Sequence, residues 1–153
     1  MDGKFIESVS VVTYKVFKTM ISMSPLRGTP TAQLLTKTLY DVTAVVGFAG
    51  SISGTVSVQF KSGLAMKVTS NMLQFPVTTL NEDVSDAIGE VGNMIAGGIK
   101  TELSNRGIHF DIALPTVVMG VGHSIGHTPG ADVLFFPFMI DGEPFIVSMC
   151  LKK

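Results

Sequence analysis

The sequence predicts an α/β (α+β) fold in which two long helices pack on a mainly antiparallel sheet. Three observations predict it. Two segments, near 4–22 and 79–105, repeat apolar residues at helical spacing. The stretches after each of them alternate, or run apolar, over lengths typical of strands. Asp141-Gly142, set between two apolar runs, is a hairpin turn signal and makes the last strand pair antiparallel. At 153 residues the chain is expected to form one domain over 1–153, large enough to bury a real core.

The elements follow in order. Phe5, Val9, Val12, Val16 and Met20 share one face of a helix expected from about 4 to 22, and Ser24-Pro25 with Arg27-Gly28-Thr29-Pro30 ends it. Strands are expected around 33–39, 42–49 and 54–60. The uncharged run from Val42 to Phe60 is interrupted by Gly47, Gly50 and Gly54. Its flanks alternate (Val42, Ala44, Val46, Phe48, then Val56, Val58, Phe60), so it reads as a hairpin and not as a membrane span. Lys61–Gln74 reads as a shorter amphipathic helix with Leu64, Met66, Val68, Met72 and Leu73 apolar. The second long helix is expected to begin near Thr79, where Thr79-Leu80-Asn81-Glu82 fits a capping box. Asn105-Arg106-Gly107 is its C-cap signal. Glu102 falls on its apolar side and is read as fraying of the helix end. Further strands are expected near 108–121, 131–140 and 144–151.

Helix then strands, twice over, suggests an internal pseudo-duplication of about 4–75 and 79–153. Aligning the long helices by apolar positions sets Phe5 with Ile88, Val12 with Ile95, Val16 with Ile99 and Met20 with Leu103. In that register Glu7 matches Glu90, while Ser10 matches Asn93 and Gly3 matches Asp86. The first half keeps an acid and loses the amide.

Composition narrows the class of function. Hydrophobic residues make up 46% of the chain and charged residues 15%, with a mean hydropathy of +0.45. That is apolar for a chain of this size, and a homodimer covering some of the surface is expected. A net charge of −1 argues against nucleic-acid binding, whose footprint is a basic patch. Glu7, Lys15 and Lys18 interrupt the first helix, so it does not read as a signal peptide, and no membrane association is expected. The lone Cys150 suits a buried position in an apolar strand, and a cytoplasmic location follows.

The most informative stretch is Asp86-Ala-Ile-Gly-Glu90-Val-Gly-Asn93. At about 100° per residue, Asp86, Glu90 and Asn93 fall within an arc of roughly 60°. Gly97 continues the line one turn on, while Val84, Ile88, Val91, Ile95 and Ile99 cluster opposite. Gly89, Gly92, Gly97 and Gly98 each cost roughly 0.5–1 kcal/mol in a helix interior relative to alanine. A surface that another backbone must approach closely would explain them. Neither Glu nor Asn is a nucleophile at neutral pH, and no His or Cys lies nearby in sequence to complete a triad. Three side chains supply few ligands for an oxygen cage, so no metal site is expected. Positioning remains: a carboxamide can donate to and accept from one water. Phosphoryl transfer needs mostly orientation and charge stabilisation.

The pattern [Asp or Ser]-x3-Glu-x2-Asn, met here by Asp86, Glu90 and Asn93, resembles the signature of the CheC/CheX/FliY phosphatases of the chemotaxis response regulator CheY. Phe5-Ile6-Glu7-Ser8-Val9 leading to Phe17-Lys18-Thr19-Met20 also looks like the first helix of the CheX branch, and element order agrees over nearly the whole chain. The resemblance implies a CheC-like fold, one site per subunit and a dimer formed through sheet edges. It implies a CheY-type partner that brings its own magnesium ion, so that this chain needs no cofactor of its own. Asn93 would then hold the in-line water and Glu90 would contact the partner's active-site lysine. Asp86 would support the stripe or the docking, and Gly89, Gly92 and Gly97 would let the partner's backbone come close.

Two other functions stay open at this level: a module that binds a response regulator or a flagellar switch component without catalysis, and a structural dimerisation domain. Gly120-Val-Gly-His123-Ser-Ile-Gly-His127 is too rich in glycine for a helical His-x3-His metal pair. It lacks the Lys-Ser/Thr ending of a phosphate loop and is read as a bulged hairpin turn.

Overall fold

A computed structural model describes residues 2–33, 38–127 and 129–152. Its core is one antiparallel sheet whose inner face carries three helices. The chain runs α1 (Gly3–Val16), β1 (Leu26–Arg27), β2 (Tyr40–Gly50), β3 (Gly54–Phe60), α2 (Ser62–Leu73), α3 (Glu82–Ser104), β4 (Phe110–Ile112), β5 (Thr116–His123), β6 (Asp132–Ile140) and β7 (Glu143–Leu151). Among the described residues the strands form a seven-stranded sheet in the order β1-β6-β7-β3-β2-β4, with β5 also pairing to β2. The alternation read from the sequence sets the inner face. Val42, Ala44, Val46, Phe48, Val56, Val58 and Phe60 all belong to the core, with Phe145, Val147 and Met149 of β7 beside them.

The first long helix is shorter than its periodicity suggests. After Val16 the chain widens into a π-helical turn, Phe17–Ile21, capped by Ser22 at φ 60°. One residue is thereby absorbed, and Phe17 and Ile21 point to the core in place of Met20, which is 58% exposed. Burial of an aromatic ring outweighs regular helix geometry: Phe17 stacks on Phe145 with ring centroids 4.7 Å apart. The strand expected around 33–39 falls mainly on 34–37, outside the described residues. The short strand β1 was not anticipated.

α2 begins without a cap from its own residues. Asp41 of β2 supplies one across the fold, accepting from the Ser62 N–H (2.7 Å) and the Ser62 hydroxyl (2.6 Å). α3 is capped by Asn81, whose side chain accepts from the Val84 N–H. The Thr79 capping box therefore does not form, because the helix starts at Glu82. The C-terminal signal acts as read, with Gly107 at φ +80° just beyond the helix. The helix is regular through Ser104, so Glu102 is a half-buried helical residue and not a frayed one.

Two further expectations are corrected. The single strand near 108–121 is two strands, β4 and β5, which both pair with β2. Gly120–His127 is not a hairpin turn, since β5 and β6 lie on opposite sides of β2, β3 and β7. The β5–β6 connection instead crosses the outer sheet face, where Ile125, Gly126 and His127 close a cavity of about 140 Å³ over Val45, Ser57 and Cys150. Ser57 and Ser148 on that face are buried, and their hydroxyls hydrogen-bond to each other. Cys150 is buried, as expected of a lone thiol in an apolar strand. Among the described residues no helix is long and apolar enough to cross a membrane.

Candidate functional site

α3 is 23 residues long and sits on the inner sheet face with Val84, Ile88, Val91, Ile95, Ile99 and Leu103 fully buried. Its opposite face carries Asp86 and Glu90, both exposed, and Asn93, half-buried. Helical spacing accounts for the juxtaposition: the three side chains follow one another at i+4 and i+3, neighbours on the helix surface. Among the described residues, none of these three side chains makes a hydrogen bond or an ion pair. Two carboxylates and a carboxamide are thus presented together with their full hydrogen-bonding capacity.

The four glycines divide. Gly97 lies on the exposed line, and a Cβ there would meet nothing within 4 Å. It leaves an open notch one turn beyond Asn93. The other three face inward, which corrects the expectation that Gly89 and Gly92 admit a partner's backbone. A Cβ at Gly92 would stand 2.9 Å from Ala44 Cβ of β2, and one at Gly89 would stand 3.2 Å from Val117 Cγ2 of β5. A Cβ at Gly98 would stand 2.5 Å from Val12 Cγ1 of α1. These glycines let α3 settle close to the sheet and to its neighbours. The signal was in the periodicity: Gly92 is two residues past Glu90, about 200° around the helix and hence on the apolar side.

Two elements flank the stripe. α1 lies antiparallel to α3, with Val12 against Gly98 and Asp2 paired to Arg106 at 3.2 Å. On the other side runs the β4–β5 segment. Asp111 pairs with Lys100 at 3.4 Å, and Pro115 Cγ lies 3.7 Å from where a Gly89 Cβ would be. Sequence reasoning did not find this second flank, because nothing local tells that residues 111–117 return to α3.

His123 and His127 do not come together as a metal pair. His123 bridges the Thr43 hydroxyl (2.7 Å) and the Gly120 carbonyl (2.7 Å). His127 packs edge-on against Phe135, centroids 5.7 Å apart, where burial pushes its imidazole below the usual histidine value. Among the described residues there is no group of three or more His, Cys, Asp or Glu placed to hold a metal ion. A cavity of about 750 Å³ lies elsewhere, lined by Ser22, Lys67, Asn71, Val77 and Asp141 and by none of the stripe residues. The candidate chemistry sits on a helix surface, which suits a substrate that is itself a folded protein.

A helix layer on an antiparallel sheet, with an acid–acid–amide stripe facing out, fits the class that the sequence motif resembles, a chemotaxis phosphatase of the CheC-like superfamily. A family profile described as "Chemotaxis phosphatase CheX" matches residues 42–139, which contain the whole stripe. The chain belongs to this CheX family. It is 32% identical over 121 residues to the CheY-P phosphatase CheX of Thermotoga maritima, covering 78% of each chain. A CheC-like superfamily protein from Shewanella sp. PV-4 superposes with a TM-score of 0.92 at 30% identity, covering all of both chains. A Borrelia burgdorferi CheX, solved as a CheX–CheY–BeF3–Mg2+ complex, superposes with a TM-score of 0.83 at 26% identity, covering 97% of this chain and 98% of that one.

Proposed function

We propose that this chain dephosphorylates the aspartyl-phosphate of a CheY-type response regulator, with Asn93 positioning the attacking water. One observation carries this reading: Asp86, Glu90 and Asn93 stand together, without internal partners, on the exposed face of α3. A carboxamide entering the partner's active site accepts one hydrogen bond from a water and donates another to it, fixing its oxygen in line with phosphorus. The water oxygen bonds to phosphorus as the bond to the aspartyl oxygen breaks. The partner's carboxylate and inorganic phosphate are released. Glu90, one turn back, pairs with a cationic side chain of the partner and sets the register. Asp86 extends the docking stripe, and the notch at Gly97 admits the partner's backbone.

The magnesium ion belongs to the partner in this reading. The complex of the Borrelia relative, which holds CheY, BeF3 and Mg2+ together, supports both the partner and the origin of the metal. The chain acts as one domain with one site per copy. The first half offers no second site, because Glu7 is paired with Arg27 at 3.1 Å and Ser10 is buried. The same reading places the protein in the cytoplasm, where response regulators signal.

We further propose a homodimer formed through β5. This strand pairs with β2 on one side and with no described strand on the other. It carries Val118, Met119 and Val121 at 41%, 39% and 81% exposure. An apolar edge of this length is a template for a second copy of itself.

The test is the decay of a phosphorylated CheY-type regulator, in magnesium, with and without catalytic amounts of this protein. Acceleration is expected. Asn93→Ala is expected to remove about 10²–10³-fold of it with binding retained, the scale of deleting one positioning group. Glu90→Ala should weaken binding as well. Binding of a regulator with no acceleration by the wild type would leave a non-catalytic module instead.

A further inference from the structure

Leu114 is the most exposed large hydrophobic residue among those described, at 89%. It is held where it is by a defect in the sheet. β2 pairs Phe48 with Ile112 of β4 and Val45 with Thr116 of β5, so β2 advances three residues while its partner advances four. The extra residue is a bulge within Ala113–Pro115. Bulges re-aim side chains and are over-represented beside active sites. Both neighbours of Leu114 are anchored: the Ala113 N–H donates to the Gly47 carbonyl at 2.8 Å, and Pro115 packs beside Gly89.

The anchors also fix where this segment lies relative to the stripe. Asp111 pairs with Lys100 at the surface, and Pro115 lies beside Gly89. Gly89 to Lys100 spans about 16 Å of helix, and Asp111 to Pro115 spans about 13 Å of extended chain. The segment therefore runs alongside α3, opposite in direction, over the stretch that contains Glu90 and Asn93. Leu114 stands next to its Pro115 end, on a rim beside the stripe.

We infer that Leu114 is a specificity-determining docking contact for the phosphorylated response regulator, seated against an apolar part of that partner's surface beside its active site. The inference rests on the function proposed above and deepens it. Glu90 orients the partner and contributes to binding, and an apolar contact beside the stripe adds affinity that ion pairs at the solvent-exposed rim do not. A leucine on an anchored loop pays little ordering cost on binding. The occupant is the regulator and not a second copy, because the segment lies along α3 beside Glu90 and Asn93, the residues proposed to meet the regulator.

The experiment measures kcat and KM for a CheY-type regulator kept phosphorylated with acetyl phosphate and magnesium, using wild type, Leu114→Asp and Leu114→Met, with sedimentation of each. Leu114→Asp should raise KM about tenfold or more, with kcat at saturation unchanged, while Leu114→Met restores the wild-type KM. The side chain is on the surface, so both variants should fold. An unchanged KM in Leu114→Asp, or a kcat loss without a KM change, overturns the inference. So does loss of a dimer confined to Leu114→Asp, which would assign the contact to a second copy. A wild type that accelerates no regulator would instead refute the proposed function, and the inference with it.

Discussion

Gly92 of α3 lies directly over Ala44 of β2, so close that a Cβ at position 92 would stand 2.9 Å from the Ala44 Cβ. The helix that carries the candidate site is thus seated on β2, one strand in from the sheet edge, through a missing side chain. Its outward face is placed by an inward contact.

That relationship separates two substitutions that look alike in sequence. Gly92→Ala forces a methyl against a methyl that is fixed to the β2 backbone, and should destabilise the fold by about 1–3 kcal/mol despite better helix propensity. Gly97→Ala meets open space and should stabilise by about 0.5–1 kcal/mol. Urea denaturation distinguishes them. If Gly97 serves partner approach, its alanine variant also raises KM for the phosphorylated regulator while its midpoint rises.

Asp41 offers a pH-dependent test. Hydrogen bonds from Ser62, with a further one from the Gly122 N–H (2.9 Å), hold its carboxyl below the usual carboxylate value. A depressed folded-state pKa contributes stability that is present above the unfolded value, about 3.9, and is lost as pH falls through the folded value. Asp41→Asn should therefore cost about 1 kcal/mol at neutral pH, the scale of a helix cap. The deficit should shrink below pH 4. Thermal unfolding of both proteins from neutral pH to pH 3 checks the sign. A deficit that grows in acid would contradict it.

The dimer proposal concerns the open edge of β5. Val121→Lys places a charge on that edge, a common natural block to edge pairing. Monomers are expected by analytical ultracentrifugation at concentrations where the wild type is dimeric, with the far-UV circular dichroism unchanged. A dimer that survives the substitution would place the interface elsewhere.

Much of this molecule was legible in the sequence, and the legible part has a common cause. The apolar face of α3 from Val84 to Ile99, the alternation of β2 and β3, and the turns at Asp141-Gly142 and Gly107 all follow from repeats imposed by local backbone geometry. The same periodicity set Asp86, Glu90 and Asn93 on one outward line before any tertiary contact was known. What sequence alone could not decide was long-range. Whether β5 pairs with β6 or returns to β2, which distant carboxylate caps α2, and which surface each glycine of α3 meets depend on strands brought together from far along the chain. Met20 shows the limit most clearly. Its spacing called for burial, yet a π turn hands that place to Phe17, because stacking an aromatic ring on Phe145 outweighs one residue of helical regularity. Local periodicity determined the stripe. Packing alone decided its surroundings, including the rim that carries Leu114, because burial and strand pairing join residues that no local pattern connects.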